Sequence, residues 1–308
     1  MMMIMENEEF SEYNACELCP RKCRVDRRTS VGYCHEGAEP RAARAALHMW
    51  EEPCISGGEG SGTVFFCGCT LGCVYCQNSG ISGGGTGKTI TTERLAEIYL
   101  ELQAKRANNI NLVTPTMFSP HIIKSVRLAR ERGLSIPVVY NTSGYETVER
   151  IDALSETVDI WLPDFKYLDP DTAARYSAAR DYPDNAKKAL CEMVKLTGRA
   201  EYDNRGMMRK GVIVRHLLLP GKLAESKRVI EYLFSEYGND ITYSLMSQYT
   251  PMKTLDKEKY PELARRVTTY EYTKLIDHAL SLGITNAFTQ DGRPADESFI
   301  PEFSLEGV

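Results

Sequence analysis

The sequence lacks long apolar runs and carries no excess of positive charge. None of its uninterrupted apolar stretches approaches the roughly eighteen residues that span a membrane, so we predict no membrane helix. Lys and Arg number 37 against 42 Asp and Glu, a net charge of −5, which argues against general binding to nucleic acids. The N-terminus begins with a short apolar run that has no basic flank, unlike a secretory signal. These absences predict a cytoplasmic protein with neither a membrane nor a nucleic acid as its partner.

The ten cysteines, by contrast, are clustered. Four lie between positions 16 and 34, five lie between 54 and 76, and Cys191 stands alone. Disulfide scaffolds are usually short secreted chains. A chain of 308 residues with 43% hydrophobic and 26% charged content is instead typical of one large globular domain or two ordinary ones. Clustered cysteines in such a chain indicate metal binding in a reducing compartment.

The densest cluster follows the apolar run Val64-Phe65-Phe66 and has the spacing C-x3-C-x2-C: Cys69-Thr70-Leu71-Gly72-Cys73-Val74-Tyr75-Cys76. Thiolates in this number suit an iron–sulfur cluster or zinc. A [4Fe-4S] cluster usually takes four cysteines, so three would leave one iron open for chemistry. A zinc loop would favour paired C-x2-C units and a fourth ligand. Cys67 is a candidate fourth ligand, but we expect it to be a barrel-lining thiol on the strand before the loop.

This spacing, with Tyr75 directly before the last cysteine, resembles the signature of the radical SAM superfamily. The resemblance implies that Cys69, Cys73 and Cys76 hold a catalytic [4Fe-4S] cluster whose open iron binds the amino and carboxylate groups of S-adenosylmethionine (SAM). It also implies that one electron passes from the cluster to the sulfonium and that homolysis yields a 5′-deoxyadenosyl radical. A flavodoxin or ferredoxin-type protein would supply that electron.

A second group of thiols lies in residues 1–62, which we predict to form an irregular cap. Its members are Cys16, Cys19, Cys23 and Cys34. Four thiolates are enough for one structural zinc ion or for a second iron–sulfur cluster. The basic residues between them would help to keep the thiolates charged. Zinc, a second cluster and a site without metal all remain open for this cap.

From about residue 63 onward, short apolar runs alternate with helical patterns. The runs predicted as strands are Thr63–Gly68, Ile110–Thr114, Ile136–Asn141, Val158–Pro163, Val212–Leu219 and Ile241–Ser247. Helices are predicted from a cap at Thr92, from Ser119, and over 146–155, 170–196 with a break near Pro183, 224–237 and 260–282. Continuous apolar runs suit parallel strands that are buried on both faces. The pattern predicts an α/β fold, a partial (βα)6 TIM-type barrel over 63–250, with a C-terminal helix and tail over 251–308 packed on it.

Polar side chains follow these apolar runs at the strand ends, where chemistry gathers in such barrels. A zwitterionic adenosyl ligand needs a donor for its carboxylate, acceptors for its ammonium and ribose, and an apolar wall. Each polar residue alone would also serve to cap the next helix. The side chains that we predict to contact the cofactor are Tyr75, Thr116, Asn141, Thr142, Asp164, Lys166 and Gln248.

Several segments further resemble the activating enzymes of this superfamily, which install a glycyl radical in pyruvate formate-lyase and its relatives. They are Cys19-Pro20-Arg21-Lys22-Cys23, Gly32-Tyr33-Cys34, Trp50-Glu51-Glu52-Pro53-Cys54, Cys76-Gln77-Asn78, Asn141-Thr142-Ser143-Gly144-Tyr145, Pro163-Asp164-Phe165-Lys166, Arg215-His216-Leu217 and Ser247-Gln248-Tyr249. The resemblance implies that Asp164 and Lys166 contact SAM. The chain departs from the superfamily at the second strand end, where Thr114-Pro115-Thr116 replaces the usual Gly-Gly-Glu.

These observations predict a radical SAM enzyme that abstracts hydrogen from a substrate. The substrate is either a glycine of a partner protein or a small molecule, and the residues do not decide between them. A non-catalytic iron–sulfur or zinc protein, used for electron transfer or as a scaffold, is the alternative, and it predicts a site with four ligands. An RNA-modifying enzyme would require a basic face, which the acidic balance disfavours.

Overall fold

The computed structural model describes residues 10–290 and 301–308. In this part of the chain the strands are β1 (Arg41–His48), β2 (Ser61–Phe66), β3 (Lys88–Thr89), β4 (Ile110–Val113), β5 (Val138–Thr142), β6 (Ile160–Pro163), β7 (Glu201–Tyr202), β8 (Met208–Leu217), β9 (Thr242–Met246) and β10 (Ala287–Thr289). The helices are α1 (Pro53–Ser56), α2 (Ser79–Ser82), α3 (Thr92–Ala104), α4 (Ser119–Glu131), α5 (Val148–Ala153), α6 (Pro170–Ser177), α7 (Tyr182–Thr197), α8 (Leu223–Tyr237) and α9 (Thr269–Leu282). Single 3-10 turns lie at Ser11–Tyr13, Thr116–Phe118 and Pro261–Ala264. The α/β class predicted from the sequence is confirmed.

One sheet carries the fold. Its parallel part runs in the order β10-β9-β8-β6-β5-β4-β2, and β1 and β3 continue it with antiparallel pairing beyond β2. Parallel neighbours need a crossover connection, and helices supply it between these strands. The six predicted strands are all present, and the short β10 adds a seventh parallel strand. The path has free ends at β10 and β3, as expected for a partial barrel.

The two faces of each parallel strand are buried against different partners. Leu112, Tyr140 and Trp161 face the helices and belong to the main hydrophobic core. Val139 and Ile160 face the inside of the sheet, where they belong to a separate core. Because side chains alternate along a strand, a continuous apolar run fills both faces at once. Apolar side chains fill the interior, and the polar side chains lie at the carboxyl ends of the strands.

The cap differs from the prediction in its last third. Residues 14–40 contain no helix or strand, as expected for an irregular cap, but residues 41–48 form β1. That strand pairs antiparallel with β2, with Ala45 opposite Val64. The C-terminal tail also reaches β1, since Leu305 N donates to Ala43 O at 3.1 Å. The sheet therefore extends into the segment predicted as cap, and the irregular part ends at residue 40.

Helix α3 begins as predicted, but its cap is Thr91 rather than Thr92. Thr91 has extended backbone angles (φ −79°, ψ 165°), and its hydroxyl accepts a hydrogen bond from Arg94 N at 3.1 Å. An N-cap residue requires this non-helical conformation. Thr92 is the first residue inside the helix, and it is buried.

The predicted helices over 170–196 and 260–282 are both shorter than expected. The first is interrupted because Ala178 adopts a left-handed conformation (φ 48°), and Pro183 then lies in the first turn of α7, where proline is tolerated. The second begins only at Thr269, since Thr268 and Glu271 form a capping box there. Pro261–Ala264 makes a single 3-10 turn.

Within residues 10–290 and 301–308, every helix falls short of the length and apolar character that a membrane crossing requires.

Candidate active site

A cavity of about 690 Å³ opens at the carboxyl ends of the parallel strands. The predicted site residues that line it are Cys69, Cys73, Tyr75, Cys76, Asn141, Thr142, Asp164, Lys166 and Gln248. In barrels built from parallel strands, this is the end where chemistry takes place. Two separate sequence signals, the cysteine spacing and the polar strand ends, therefore meet in one cavity.

The cysteine loop leaves β2 and turns back on itself through short backbone contacts. Cys76 N donates to Cys73 O at 3.1 Å, and Leu71 N donates to Cys69 Sγ at 3.4 Å. Val74 N donates to Tyr176 O at 2.9 Å, which fastens the middle of the loop to α6. The three thiols are partly exposed and form no disulfide. They are held by a folded loop and remain accessible from the cavity.

Cys67, the alternative fourth ligand, is engaged elsewhere. Its thiol donates to Thr86 O at 3.3 Å, and it is not one of the residues that line the cavity. Gly87 packs so closely on it that a Cβ at that position would lie 2.1 Å from the sulfur. The donor set at the cavity is therefore three thiols. That set fits a [4Fe-4S] cluster with one iron left open.

Two of the three thiols are held in an apolar setting. Burial raises the pKa of Cys76 to about 12, and burial also raises the pKa of Cys73 even though the nearby Lys166 acts in the opposite direction. Both thiols are therefore protonated at neutral pH unless a cation binds them. Soft metal ions bind the thiolate and release its proton, so this loop exchanges protons for metal.

A chain of hydroxyl groups stands behind Cys73. Its Sγ lies 3.0 Å from Ser177 Oγ, which lies 2.9 Å from the Tyr167 hydroxyl, and that hydroxyl lies 2.5 Å from the hydroxyl of Tyr75. Hydrogen bonds to a ligating sulfur tune a cluster's reduction potential. Sequence reasoning missed Ser177 and Tyr167. No local pattern marks Ser177, the last residue of α6, because its partner lies 104 positions away.

Asp164 and Lys166, at the end of β6, form an ion pair beside the thiols. Lys166 Nζ lies 2.6 Å from Asp164 Oδ2, and the side chains are 15% and 26% exposed, respectively. Burial alone would lower the pKa of Lys166, but Asp164 and Cys73 outweigh it and raise that pKa well above its usual range. Lys166 is therefore protonated at neutral pH. Together with Asp164 it offers an ammonium group and a carboxyl group to a zwitterionic ligand.

Thr116 is not brought to the cavity. Its hydroxyl donates to Glu146 Oε1 at 2.6 Å, the residue is 2% exposed, and it is not among those that line the cavity. The Thr142 hydroxyl donates to the same oxygen, although Thr142 does line the cavity. At the second strand end the lining residue is instead Thr114, in a left-handed conformation (φ 55°). Such a backbone strain is common at functional sites.

Four charged side chains outside the predicted set of cofactor contacts also line the cavity, namely Glu51, Glu52, Arg215 and Lys253. Arg215, on β8, pairs with Glu51 and Glu52, which precede α1. The sequence does contain a signal for this cluster, since Arg215 lies inside the apolar run Val212–Leu219. A cation that is buried there requires an anionic partner. The partners themselves lie more than 160 positions away along the chain.

The thiols of the cap lie near one another and near the cysteine loop. A Cβ built on Gly32 would lie 3.3 Å from Cys34 Sγ and 3.4 Å from Cys23 Sγ. Burial raises the pKa of Cys19 to about 12, and Cys34 and Cys16 are close enough to raise it further. Over the described ranges, however, no three His, Cys, Asp or Glu side chains converge as ligands of a single metal ion. The cap joins the loop through Cys69 N, which donates to Cys34 O at 3.3 Å.

Two solved structures superpose on this chain at low sequence identity. Streptococcus suis SuiB bound to S-adenosylmethionine superposes with a TM-score of 0.49 at 9% identity, over 72% of this chain and 48% of SuiB. The FeFe-hydrogenase maturase HydG from Carboxydothermus hydrogenoformans superposes with a TM-score of 0.46 at 11% identity, over 77% of this chain and 59% of HydG. The chain thus spans about half the length of SuiB.

Sequence similarity is more extensive. An uncharacterized protein from Methanocaldococcus jannaschii is 30% identical over 277 residues, which are 87% of this chain and 75% of that protein. The pyruvate formate-lyase-activating enzyme of Clostridium pasteurianum is 27% identical over 223 residues, which are 70% of this chain and 86% of that enzyme. The Radical SAM superfamily matches residues 63–233, more than half of the chain and the whole stretch from the cysteine loop to α8. By this match the protein belongs to the radical SAM superfamily.

Proposed function

We propose that this radical SAM enzyme holds a [4Fe-4S] cluster through Cys69, Cys73 and Cys76 and removes a hydrogen atom from a glycine of a partner protein. When bound, the cluster and SAM supply a one-electron reductive cleavage and a radical that takes the hydrogen atom. The observation that carries the proposal is the donor set of the cavity, in which three thiols face inward while Cys67 donates to Thr86. A protein that only transfers electrons has no use for an open iron.

The strand-end residues would position SAM. Lys166 would donate to its carboxylate, and Asp164 and Asn141 would accept from its ammonium and ribose hydroxyls. The ion pair of Asp164 and Lys166 supports these roles, because it places an acceptor and a donor side by side on the cavity wall. Thr142, Gln248 and Tyr75 complete the wall in this proposal. Thr116 has no part in it because its hydroxyl is committed to Glu146.

A glycine of a partner protein is the substrate that the comparisons favour. The activating enzyme of Clostridium pasteurianum is matched over most of its length. The rim of the cavity also carries Trp50, which is 61% exposed, and Met49 beside it in the chain is 45% exposed. Exposed aromatic and Met side chains are enriched where proteins bind one another. The electron would come from a flavodoxin or ferredoxin-type partner.

The radical activity is tested with anaerobically reconstituted protein, SAM and dithionite, followed by chromatography for 5′-deoxyadenosine. The wild type and Cys67→Ala are expected to form this product, whereas Cys73→Ala is expected to form none. A fully iron-loaded wild type that forms no 5′-deoxyadenosine would overturn the proposal. Loss of the cluster in Cys67→Ala would favour the alternative, a non-catalytic protein with a four-thiolate site.

The glycine substrate is tested by isotope transfer. Proteins of the source organism are labelled with glycine deuterated at Cα and offered to the reduced enzyme with unlabelled SAM. A glycine substrate predicts 5′-deoxyadenosine that has gained one deuterium in its mass spectrum. Product formed without deuterium, when a small-molecule extract stimulates its formation, would point to a small-molecule substrate instead.

For the cap, we propose that Cys16, Cys19, Cys23 and Cys34 bind a metal of their own, either zinc or a second iron–sulfur cluster. The sulfurs of Cys23 and Cys34 both lie close to Gly32, which supports this grouping. An anaerobic count of iron, sulfide and zinc in the wild type and in the fourfold alanine variant separates the two metals. Equal metal counts in both proteins would show that these four cysteines bind no metal.

A further inference from the structure

Residues 301–308, the docked segment, return to the sheet and lie along strand β1. Ala45 N donates to Glu306 O at 2.8 Å, and Leu305 N donates to Ala43 O at 3.1 Å. The docked segment thus continues the outer edge of β1, next to the two residues of β1 that pair with β3. Covering a strand edge in this way protects it against unwanted pairing. The attachment to the sheet itself consists of a few backbone hydrogen bonds.

Basic side chains hold the last residues of the docked segment at the surface. Arg44 and Glu306 form a salt bridge at 2.8 Å, and their side chains are 21% and 53% exposed. Lys88 Nζ donates to Val308 O at 2.8 Å. Ion pairs at the surface contribute little to stability, and contacts of this kind open locally at a much smaller cost than unfolding. The docked segment is therefore able to detach while the sheet stays folded.

The first residues of the docked segment reach the active cavity. Pro301 lines the cavity together with Phe65 of β2. The Phe303 ring packs edge-on against the Phe65 ring, with 5.5 Å between the ring centroids, but Phe303 itself does not line the cavity. Phe288 and Gln290, in and after β10, line the same cavity, and β10 does not pair with β2 among the described residues. The docked segment therefore forms part of the side wall at the gap between β2 and β10.

We propose that the docked segment is a displaceable side wall of the active cavity. While docked, it narrows the cavity at the gap between β2 and β10, and its displacement opens this side to a loop of a partner protein. The inference rests on the proposed function, because it concerns how a partner's glycine reaches the cavity. Phe303 is a positioning residue here, since it supports Phe65 from outside the cavity. Paired aromatic rings contribute apolar area and a preferred edge-to-face geometry.

A cover for the edge of β1 is the competing explanation. In that case, detachment of the segment lowers stability and exposes β1, but the access of other molecules to the cysteine loop stays the same. If the segment is a side wall, its detachment increases that access, and more so for a bulky molecule than for a small one. Two reagents of different size therefore separate the explanations.

Gly307 offers a way to detach the segment without removing it. Its φ is 77°, and a Cβ built on it would lie 2.2 Å from Ala45 O. Gly307→Ala therefore adds the cost of a left-handed alanine and a collision with the edge of β1. Gly206→Ala is the matched control, because Gly206 has the same φ of 77° and a Cβ there would meet no atom within 4 Å.

The test measures iron release from full-length protein with its reconstituted cluster, using small 2,2′-bipyridine and bulky bathophenanthroline disulfonate as chelators. The wild type is expected to release iron more slowly to the bulky chelator. Gly307→Ala should speed that release about five- to thirtyfold, the factor that matches a left-handed alanine, and leave release to 2,2′-bipyridine close to that of the wild type. Hydrogen exchange at the Ala45 amide should accelerate by the same factor. Gly206→Ala should behave like the wild type in all three measurements.

Faster exchange at Ala45 without faster release to the bulky chelator would overturn the inference, because the segment would then only cover β1. Unchanged exchange at Ala45 in Gly307→Ala would also overturn it, as would a wild type that releases iron equally fast to both chelators. Phe303→Ser should speed release to the bulky chelator, whereas Phe303→Leu, which keeps an apolar support, should not. A size-dependent release without any formation of 5′-deoxyadenosine would reject the proposed function while leaving the side wall in place.

Discussion

Arg21 connects the cap to the cysteine loop, and its replacement should loosen both. Its Nε donates to Thr70 O at 2.8 Å and its Nη1 donates to Ala178 O at 2.6 Å. Longer bonds of 3.3 Å reach Leu71 O and Ser177 O. The guanidinium thus holds two carbonyls of the cysteine loop and two at the end of α6. We expect Arg21→Met to unfold at a lower temperature and to load less iron.

The size of the effect follows from these contacts. The two short bonds contribute about 1.5 kcal/mol each, the low end for a charged donor because Arg21 is only half-buried. The guanidinium also lies 4.0 Å from the ring centroid of Tyr33, a contact worth about 0.5 kcal/mol at such a site. Together they give about 3–4 kcal/mol. At about 2 °C per kcal/mol for a chain of this size, the melting temperature should fall by about 6–8 °C.

The assay is thermal unfolding followed by circular dichroism, with iron content after anaerobic reconstitution as a second readout. Arg24→Met is the matched control, because Arg24 belongs to the same basic run but its side chain is 72% exposed and pairs only with Glu17 among the salt bridges described. Surface pairs contribute about 0–1 kcal/mol, so this variant should melt within about 2 °C of the wild type. Equal melting temperatures and equal iron loading of the two variants would refute the role given to Arg21.

Three further predictions concern the cavity and the residues packed behind it. Ser177→Ala removes the hydroxyl 3.0 Å from Cys73 Sγ and should make the cluster's reduction potential more negative. The potential is measured in a redox titration followed by electron paramagnetic resonance. An unchanged potential would show that this hydroxyl does not tune the cluster. Lys166→Met should weaken SAM binding in equilibrium dialysis, and wild-type affinity would contradict the carboxylate-binding role. Burial raises the pKa of Glu146 to about 7, so between pH 4.5 and 7 the folded state keeps a proton that the unfolded state releases. The free energy of unfolding should therefore fall by about 3 kcal/mol as the pH rises from 4.5 to 7. Glu146→Gln should remove this decline in urea unfolding, and a decline that persists in the variant would assign it to other groups.

The sequence predicted those parts of the fold that depend on local pattern. Continuous apolar runs located the six main parallel strands, and the polar residues after them located Asn141, Asp164 and Lys166 at the cavity. β10 was missed because its three residues are too few to form a distinctive run. The cap strand β1 was missed because its run of alanines and arginines has low strand propensity, and its pairing with β2 decides its conformation.

The parts of the site that were missed depend on contacts between distant positions. The polar position of Thr116 after a strand predicted a ligand contact, but Glu146, 30 positions away, accepts its hydroxyl. The hydroxyl chain behind Cys73 and the Arg215 cluster likewise join residues that are about 90 to 165 positions apart. A sequence alone does not show which polar group meets which partner, and burial then decides whether that group is structural or faces a ligand.

In the proposed centre three thiolates hold the cluster and the fourth iron binds SAM. Mössbauer spectroscopy of the 57Fe-reconstituted protein tests it most directly, with spectra recorded before and after addition of SAM. We expect one iron in four to change its isomer shift when SAM binds and the other three to stay the same. Four irons that respond alike, or no response to saturating SAM in a fully loaded protein, would contradict it.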